Sequence, residues 1–222
     1  MPTMIDLSRD GDVFVLRMDA GENRFSPAML DALKGALDEV AAADGPRALV
    51  TTGTERFFTN GLDLDWLSAN QERMRDYLDW VDDLFAKVLS MPCPTAAAIN
   101  GHAFGAGAML ALAHDHRVMR SDRGFWCLPE VALNMPFPAG MQELVTARLP
   151  VITAHEAMVT SHRYGADEAL AKGIAEAVAP EAEVLATAVE RVRPLAVHAG
   201  PNLAGVRTAL HADVLAALAR PN

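Results

Sequence analysis

Two short turns hold the residues best placed to do chemistry. Phe57-Phe58-Thr59-Asn60-Gly61-Leu62-Asp63-Leu64 follows a buried-looking strand, Arg47 to Thr52. Gly61 stands where a tight turn is needed, and Asp63-Leu64 can open a helix. Gly101-His102-Ala103-Phe104-Gly105-Ala106-Gly107 likewise leaves an apolar run, Thr95 to Ile99, and opens a helix. Main-chain N–H groups at a helix start are free to bind an anion. Preorganised in a dry site, they stabilise an oxyanion that develops on a substrate. The second turn is a poor dinucleotide fingerprint, since Leu110 stands where the third glycine or alanine belongs. It is no phosphate loop either, because no Gly-Lys-Ser/Thr follows. The turns alone leave two readings open: an anion pocket, or small residues that let a helix pack closely.

The elements that position these turns alternate along the chain. Met4 to Leu7 and Val13 to Met18 read as a hairpin around Ser8–Asp12. Ser26-Pro27 reads as an N-cap followed by proline at the first helical position. Leu30, Leu33, Leu37 and Val40 then repeat at helical spacing until Gly45-Pro46. Ala48 to Val50 suits a strand buried on both faces. A helix is expected over Asn70 to Leu89, a strand over Thr95 to Ile99 and a helix over Gly105 to Ala113. Further strands are expected at Arg117 to Met119 and Gly124 to Cys127. After Pro138 the pattern is almost wholly helical: Ala139 to Leu149, Thr153 to Val159, Asp167 to Lys172, Glu181 to Arg193 and Leu203 to Ala219. A last strand is expected at Ala175 to Ala179. This alternation predicts crossover units and a mostly parallel sheet.

Composition narrows the function classes. The chain has 222 residues, 51% hydrophobic, which is enough for a sizeable core. A net charge of −10 argues against a nucleic-acid binder. Cys93 and Cys127 suggest two structural thiols and no metal site. The most apolar run, Ala103 to Ala113, falls well short of the ~20 residues that a membrane span needs. No signal peptide is visible, and a soluble cytoplasmic protein is expected.

The two turns also resemble a known family. Phe57 to Leu64 resembles the phenylalanine…glycine-x-aspartate-leucine loop of the crotonases, the enoyl-CoA hydratases and isomerases. Ala97 to Gly107 resembles their asparagine-glycine signature and small-residue turn, and Asp115 to Met119 continues it. Asn23 to Leu30 resembles their first-helix entry, and Phe125 to Val131 their proline-glutamate motif. The likeness runs in register from Val13 to Val178. It implies an α/β fold, a crotonase-like spiral of repeated β-β-α turns with a helical C-terminal region. On that view residues 1–194 form the spiral core. Residues 195–222 form a short helical segment for active-site cover and oligomerisation, as a homotrimer or dimer of trimers.

The resemblance also implies roles for single residues. The backbone N–H groups of Leu62 and Ala106 match the oxyanion hole, which would receive the carbonyl oxygen of an acyl-CoA thioester. Of the two glutamates that hydratases of the family use, one matches Glu130. The other falls at Met109, whose thioether neither gives nor takes a proton usefully. One base suffices to move a double bond, taking a proton from C2 and returning it at C4. An apolar residue at Met109 is similar to the Δ3,Δ2-enoyl-CoA isomerases, and His114-Asp115-His116 and Arg120 to Phe125 look like the plant peroxisomal type. Substrate or CoA contacts are expected at Arg24, Asn60, Gly61, Asp63, Leu64, Gly105, Met109 and Asn134. Asp63 reads as an N-cap, and His102, His114 and His116 as structural. No metal and no separate cofactor are expected, since coenzyme A is the substrate's handle. A hydratase or other CoA-thioester activity is the alternative, and a silent CoA-binding scaffold is another.

Overall fold

Alternation along the central strands decides the layering. In the computed structural model, which describes residues 4–222, strands β1 (Ile5–Asp10) and β2 (Val13–Met18) form an antiparallel hairpin. Parallel strands β3 (Ala48–Thr52), β5 (Thr95–Ile99), β7 (His116–Arg120) and β9 (Ala177–Ala179) extend it in the order β1-β2-β3-β5-β7-β9. Between them lie β4 (Phe57–Thr59), β6 (His102–Phe104) and β8 (Trp126–Cys127), which form a second, three-stranded parallel sheet. Each long strand thus hands the chain to a short strand and then to a helix. This is the β-β-α spiral of the crotonase fold.

The large sheet is covered on both faces. Phe14, Leu16, Leu49, Ala97 and Ile99 face the main core. Val13, Val15, Val50, Ala96 and Ala98 face a smaller one. Residues of successive strands alternate between these two cores, as the period of two requires. The main core is closed by α1 (Pro27–Ala42), α3 (Met74–Leu89), α4 (Ala106–Ala113) and α5 (Ala139–Arg148). α2 (Leu64–Ala69) precedes α3, and α6 (Val151–Thr160) and α7 (Ala166–Ala171) follow α5. The smaller core is closed by α8 (Val184–Val192) and the 3₁₀ turn Arg193–His198. The all-alanine centre of β5 is what a helix-covered strand needs: each of its residues is buried, and small side chains admit α8 closely.

Several boundaries differ from the sequence expectation. The hairpin turn is tighter, because β1 runs to Asp10 and Gly11 alone takes a left-handed φ of 61°. The helix expected from Asn70 begins as α2 at Leu64. Asp63 caps α2, accepting the Trp66 N–H at 3.1 Å, and a 3₁₀ turn at Gln71–Arg73 separates it from α3. The single helix expected over Leu203 to Ala219 is two, α9 (Pro201–Leu210) and α10 (Ala212–Leu218), bent at His211. β4 and β6 lie inside the stretches read as turns. Three-residue strands are too short to show a period.

The segment after residue 194 folds back on the spiral. α10 packs on α5 and α3, with Val214, Ala217 and Leu218 buried. A methyl group on Gly140 would stand 2.8 Å from the Leu218 backbone, so that contact requires glycine. Arg207 is buried and donates to the carbonyls of Val88, Leu89, Met91 and Cys93, at the end of α3 and in the turn beyond it. It also pairs with Asp115 at 2.9 Å. Among the described residues no helix is long and apolar enough to cross a membrane.

Candidate active site

Parallel pairing of β4 with β6 brings the two turns side by side. Phe57 pairs with His102 and Thr59 with Ala103, across an irregularity, and past these strands the chains leave the sheet as the loops 60–63 and 105–107. The approach is close. A methyl group on Gly61 (φ 78°) would lie 2.6 Å from the Phe104 oxygen and 2.9 Å from the Ala106 nitrogen. One on Gly107 would lie 2.4 Å from the Thr59 oxygen. Only hydrogen fits at either place, so the two glycines let two backbones touch.

The first loop is held from beneath. Thr59 Oγ1 donates to the Asn23 carbonyl at 2.7 Å and accepts the Gly61 N–H at 3.0 Å. Asn23 is fully buried with φ 52°, and its side-chain amide donates to the Phe58 carbonyl at 3.1 Å. Phe25 N–H donates to the Gly61 oxygen, and the Asp63 N–H donates to the Tyr77 hydroxyl, which itself donates to the Phe25 carbonyl. Flanked by these bonds, the Leu62 N–H has no hydrogen-bond partner among the described residues. The Ala106 N–H is likewise free: it opens α4, where no earlier turn offers a carbonyl. Gly105, at φ 51°, makes the turn that aims it. Two unpaired amides on touching loops are the geometry of an oxyanion hole.

Glu130 completes the cluster. It follows β8, and its carboxylate Oε1 would lie 3.3 Å from a methyl group built on Gly105. The residue is 8% exposed, and its Oε2 has no hydrogen-bond partner among the described residues. Burial pushes its pKa from an ordinary 4.5 to about 7, since no cation nearby supports the charge. A carboxyl that titrates near neutrality serves as base or acid in turn.

A cavity of about 460 Å³ opens over these groups. The expected residues Arg24, Asn60, Leu62, Leu64, Gly105, Ala106 and Glu130 line it. The rest of its wall is mainly apolar, with Met74, Leu78, Leu133, Met135 and Met141. Gly61 and Asp63 act from behind, through backbone shape and the α2 cap. Met109 is fully buried in the main core and is not part of the cavity wall. Asn134 is exposed outside the cavity, with φ 55°, at the end of the turn that carries Glu130. Residues 195–222 contribute nothing to the wall. Arg24 stands at the mouth, paired with Glu22 at 2.6 Å and with the exposed Asp65.

The histidines divide. His114 is structural, with both ring nitrogens bonded, to the Leu110 carbonyl and the Thr51 hydroxyl. Burial lowers its pKa to about 4, so it stays neutral. His102 differs from the expected bonded histidine. Its Nδ1 is buried without a partner, and its ring packs among Phe57, Phe104 and Phe125. Sequence reasoning missed Asn23 and Tyr77 as supports of the first loop. Asn23 carried a signal, a lone amide before the Ser26 cap: its Oδ1 accepts the nearby Ala20 N–H, but the loop carbonyls to which its amide donates lie 34 and 35 positions away.

The geometry agrees with comparison to known proteins. A family model described as enoyl-CoA hydratase/isomerase matches residues 9–221. The chain is 34% identical to enoyl-CoA delta isomerase 3 of Arabidopsis thaliana over 183 residues, 79% of this chain and 77% of the relative. Two solved structures from Mycobacterium tuberculosis superpose closely. One, described as a probable enoyl-CoA hydratase, has a TM-score of 0.90 at 31% identity, covering 97% of this chain and 92% of its own. The other, described as an enoyl-CoA isomerase, has a TM-score of 0.88 at 32% identity, covering 98% and 95%. The family model spans nearly the whole chain, and a relative at 34% identity is covered over most of its length: the chain belongs to the enoyl-CoA hydratase/isomerase family.

Proposed function

We propose that the protein is a Δ3,Δ2-enoyl-CoA isomerase that works with one base, Glu130, and the amides of Leu62 and Ala106. The observation that carries this reading is the solitary carboxyl: among the described residues Glu130 is the one buried acid on the cavity wall, and Asp65 is exposed and ion-paired at the mouth. Both amides donate to the thioester carbonyl oxygen. They hold it more tightly as it gains charge, which makes the C2 proton acidic. Glu130 takes that proton, and the C2–H electron pair becomes a dienolate with its charge on the oxygen. The same carboxyl returns the proton at C4, leaving the double bond between C2 and C3. No water is consumed and no redox change occurs.

Hydration would ask for a second group to orient and deprotonate water. The sequence position for it is Met109, an apolar side chain inside the core. The methionine- and leucine-rich wall suits an apolar acyl chain, because methionine fills irregular space readily. Arg24 is read as a contact for the CoA phosphates. It would exchange Asp65, a surface partner worth little in water. We further read the protein as a cytoplasmic β-oxidation enzyme that assembles as a homotrimer. Light scattering giving three times the chain mass checks the assembly.

The test of the reaction compares two substrates. Incubation with a 3-enoyl-CoA should give the conjugated 2-enoyl thioester, while 2-enoyl-CoA should remain essentially unhydrated. Hydration at a comparable rate would overturn the isomerase reading. Binding of both thioesters without turnover, over short and long acyl chains, would instead favour a silent CoA-binding protein.

A further inference from the structure

The segment that carries Glu130 is anchored at one end and nearly free at the other. On its N-terminal side β8 is paired twice: with β6, and through Trp126, whose N–H and carbonyl both bond Tyr164, at 3.0 and 2.9 Å. Beyond β8 the chain makes a tight turn held by its own bonds. Leu133 N–H donates to the Pro129 carbonyl at 3.0 Å, and Met135 N–H donates to the Glu130 carbonyl at 2.9 Å. Between Leu128 and Met135 a single hydrogen bond leaves the segment among the described residues. The Ala132 N–H donates to Ser161 Oγ at 3.1 Å.

Ser161 is unusual for its place. It ends α6 in the left-handed conformation, with φ 53° and ψ 31°. Glycine or asparagine ordinarily fills such a helix end, because a side chain is strained there. Serine is therefore not the residue the turn itself would select. What it adds is a hydroxyl aimed at Ala132, while its carbonyl accepts from Cys127 Sγ at 3.3 Å. One residue thus holds the chain on both sides of Pro129-Glu130.

We propose that Ser161 is a positioning residue for Glu130. Its hydroxyl fixes the turn after Pro129, and so fixes where the carboxylate stands against Gly105 and the Ala106 amide. This inference rests on Glu130 being the base. A base displaced by about 1 Å loses on the order of 10²-fold in rate. A loosened turn would also let water reach a carboxyl that is now 8% exposed.

The experiment uses three variants of the full chain, Ser161→Ala, Ser161→Gly and Ser161→Asn, with two readouts. The first is kcat and KM for 3-enoyl-CoA isomerisation. The second is the titration of Glu130, followed by ¹³C NMR of carboxyl-labelled glutamate and assigned with Glu130→Gln. Glycine is at ease in the left-handed region and guards against a folding failure in the alanine variant. Alanine and glycine should each lower kcat by roughly 10- to 100-fold, more than they raise KM. Both should also move the Glu130 titration from about 7 towards its ordinary range. Asparagine tolerates the conformation and offers a side-chain oxygen to Ala132, and should recover most of both. Wild-type kcat and an unmoved titration in Ser161→Gly would overturn the proposal. So would full rescue of Ser161→Ala by glycine, which would mean that backbone strain alone was at work. If the wild-type protein turns over no 3-enoyl-CoA, the reading of the reaction fails, and the titration still decides the role of Ser161.

Discussion

Replacing Gly61 by alanine tests the contact on which the amide pair depends. The added methyl group would sit 2.6 Å from the Phe104 oxygen and 2.9 Å from the Ala106 nitrogen. Both are backbone atoms, so neither can turn away as a side chain would. Restoring ordinary contact at about 3.4 Å means separating the loops by most of an ångström. The φ of 78° adds strain of about 1–2 kcal/mol for any L-residue. Loss of one oxyanion donor lowers kcat by about 10²–10³, equivalent to roughly 2.7–4 kcal/mol of transition-state stabilisation. We therefore expect kcat/KM to fall 10²- to 10³-fold while Tm falls by about 2–8 °C, the drop that such strain produces in a domain of this size. The assay is isomerisation of a 3-enoyl-CoA beside calorimetric unfolding of the same preparation. Gly35→Ala is the control. Gly35 lies in α1 with open space around its Cα, so alanine there should leave turnover unchanged and stabilise by about 0.5–1 kcal/mol. A folded Gly61→Ala variant with wild-type kcat/KM would refute the two-loop site.

Glu130 links activity to pH and to stability with opposite signs. As a base it acts when deprotonated, so kcat/KM should rise with pH through about 7. Its folded pKa exceeds its unfolded value of 4.5, so its contribution to stability is present below 4.5 and lost as pH rises through 7, by roughly 3 kcal/mol. Glu130→Gln should accordingly be more stable than wild type at pH 8 and no more stable at pH 4, as read by urea unfolding. Met109→Glu should fold poorly at pH 8, losing about 3–5 kcal/mol to an uncompensated buried charge, and should recover in acid, which circular-dichroism melts at both pH values would show. Arg207→Ala strands the carbonyls beyond α3 and leaves Asp115 unpaired. It should cost about 3–5 kcal/mol in denaturant titration, yet leave kcat of the folded fraction unchanged, because residues 195–222 stand apart from the cavity wall.

The sequence carried the start of α1 and the buried strands well, for local reasons. Ser26-Pro27 announced α1 because cap and proline act within one turn, and the Ser26 hydroxyl indeed accepts the Met29 N–H. Ala48 to Thr52 and Thr95 to Ile99 are buried throughout, with apolar runs that do not alternate, because helices cover both faces. The loops around Gly61 and Gly105 were legible as turns and, through the family resemblance, as an amide pair. What stayed hidden depends on partners far along the chain. β4 and β6 are three residues each, and exist because the adjoining long strands set them side by side. Asn23, Tyr77 and Ser161 are polar side chains of ordinary type. Their roles come from bonds spanning 52 residues from Tyr77 to Phe25 and 29 from Ser161 to Ala132. The chain bends at His211 for a tertiary reason: α9 brings Arg207 to the end of α3, while α10 lies on α5.

The most direct test of a single proton-carrying base uses a 3-enoyl-CoA labelled with deuterium at C2. In the wild-type protein part of the label should appear at C4 of the 2-enoyl product, because the Glu130 carboxyl is shielded from exchange during the transfer. In Glu130→Gln, turnover should fall by about 10²–10⁴. A Glu130→Gln variant that forms the 2-enoyl product at close to the wild-type rate would contradict the account.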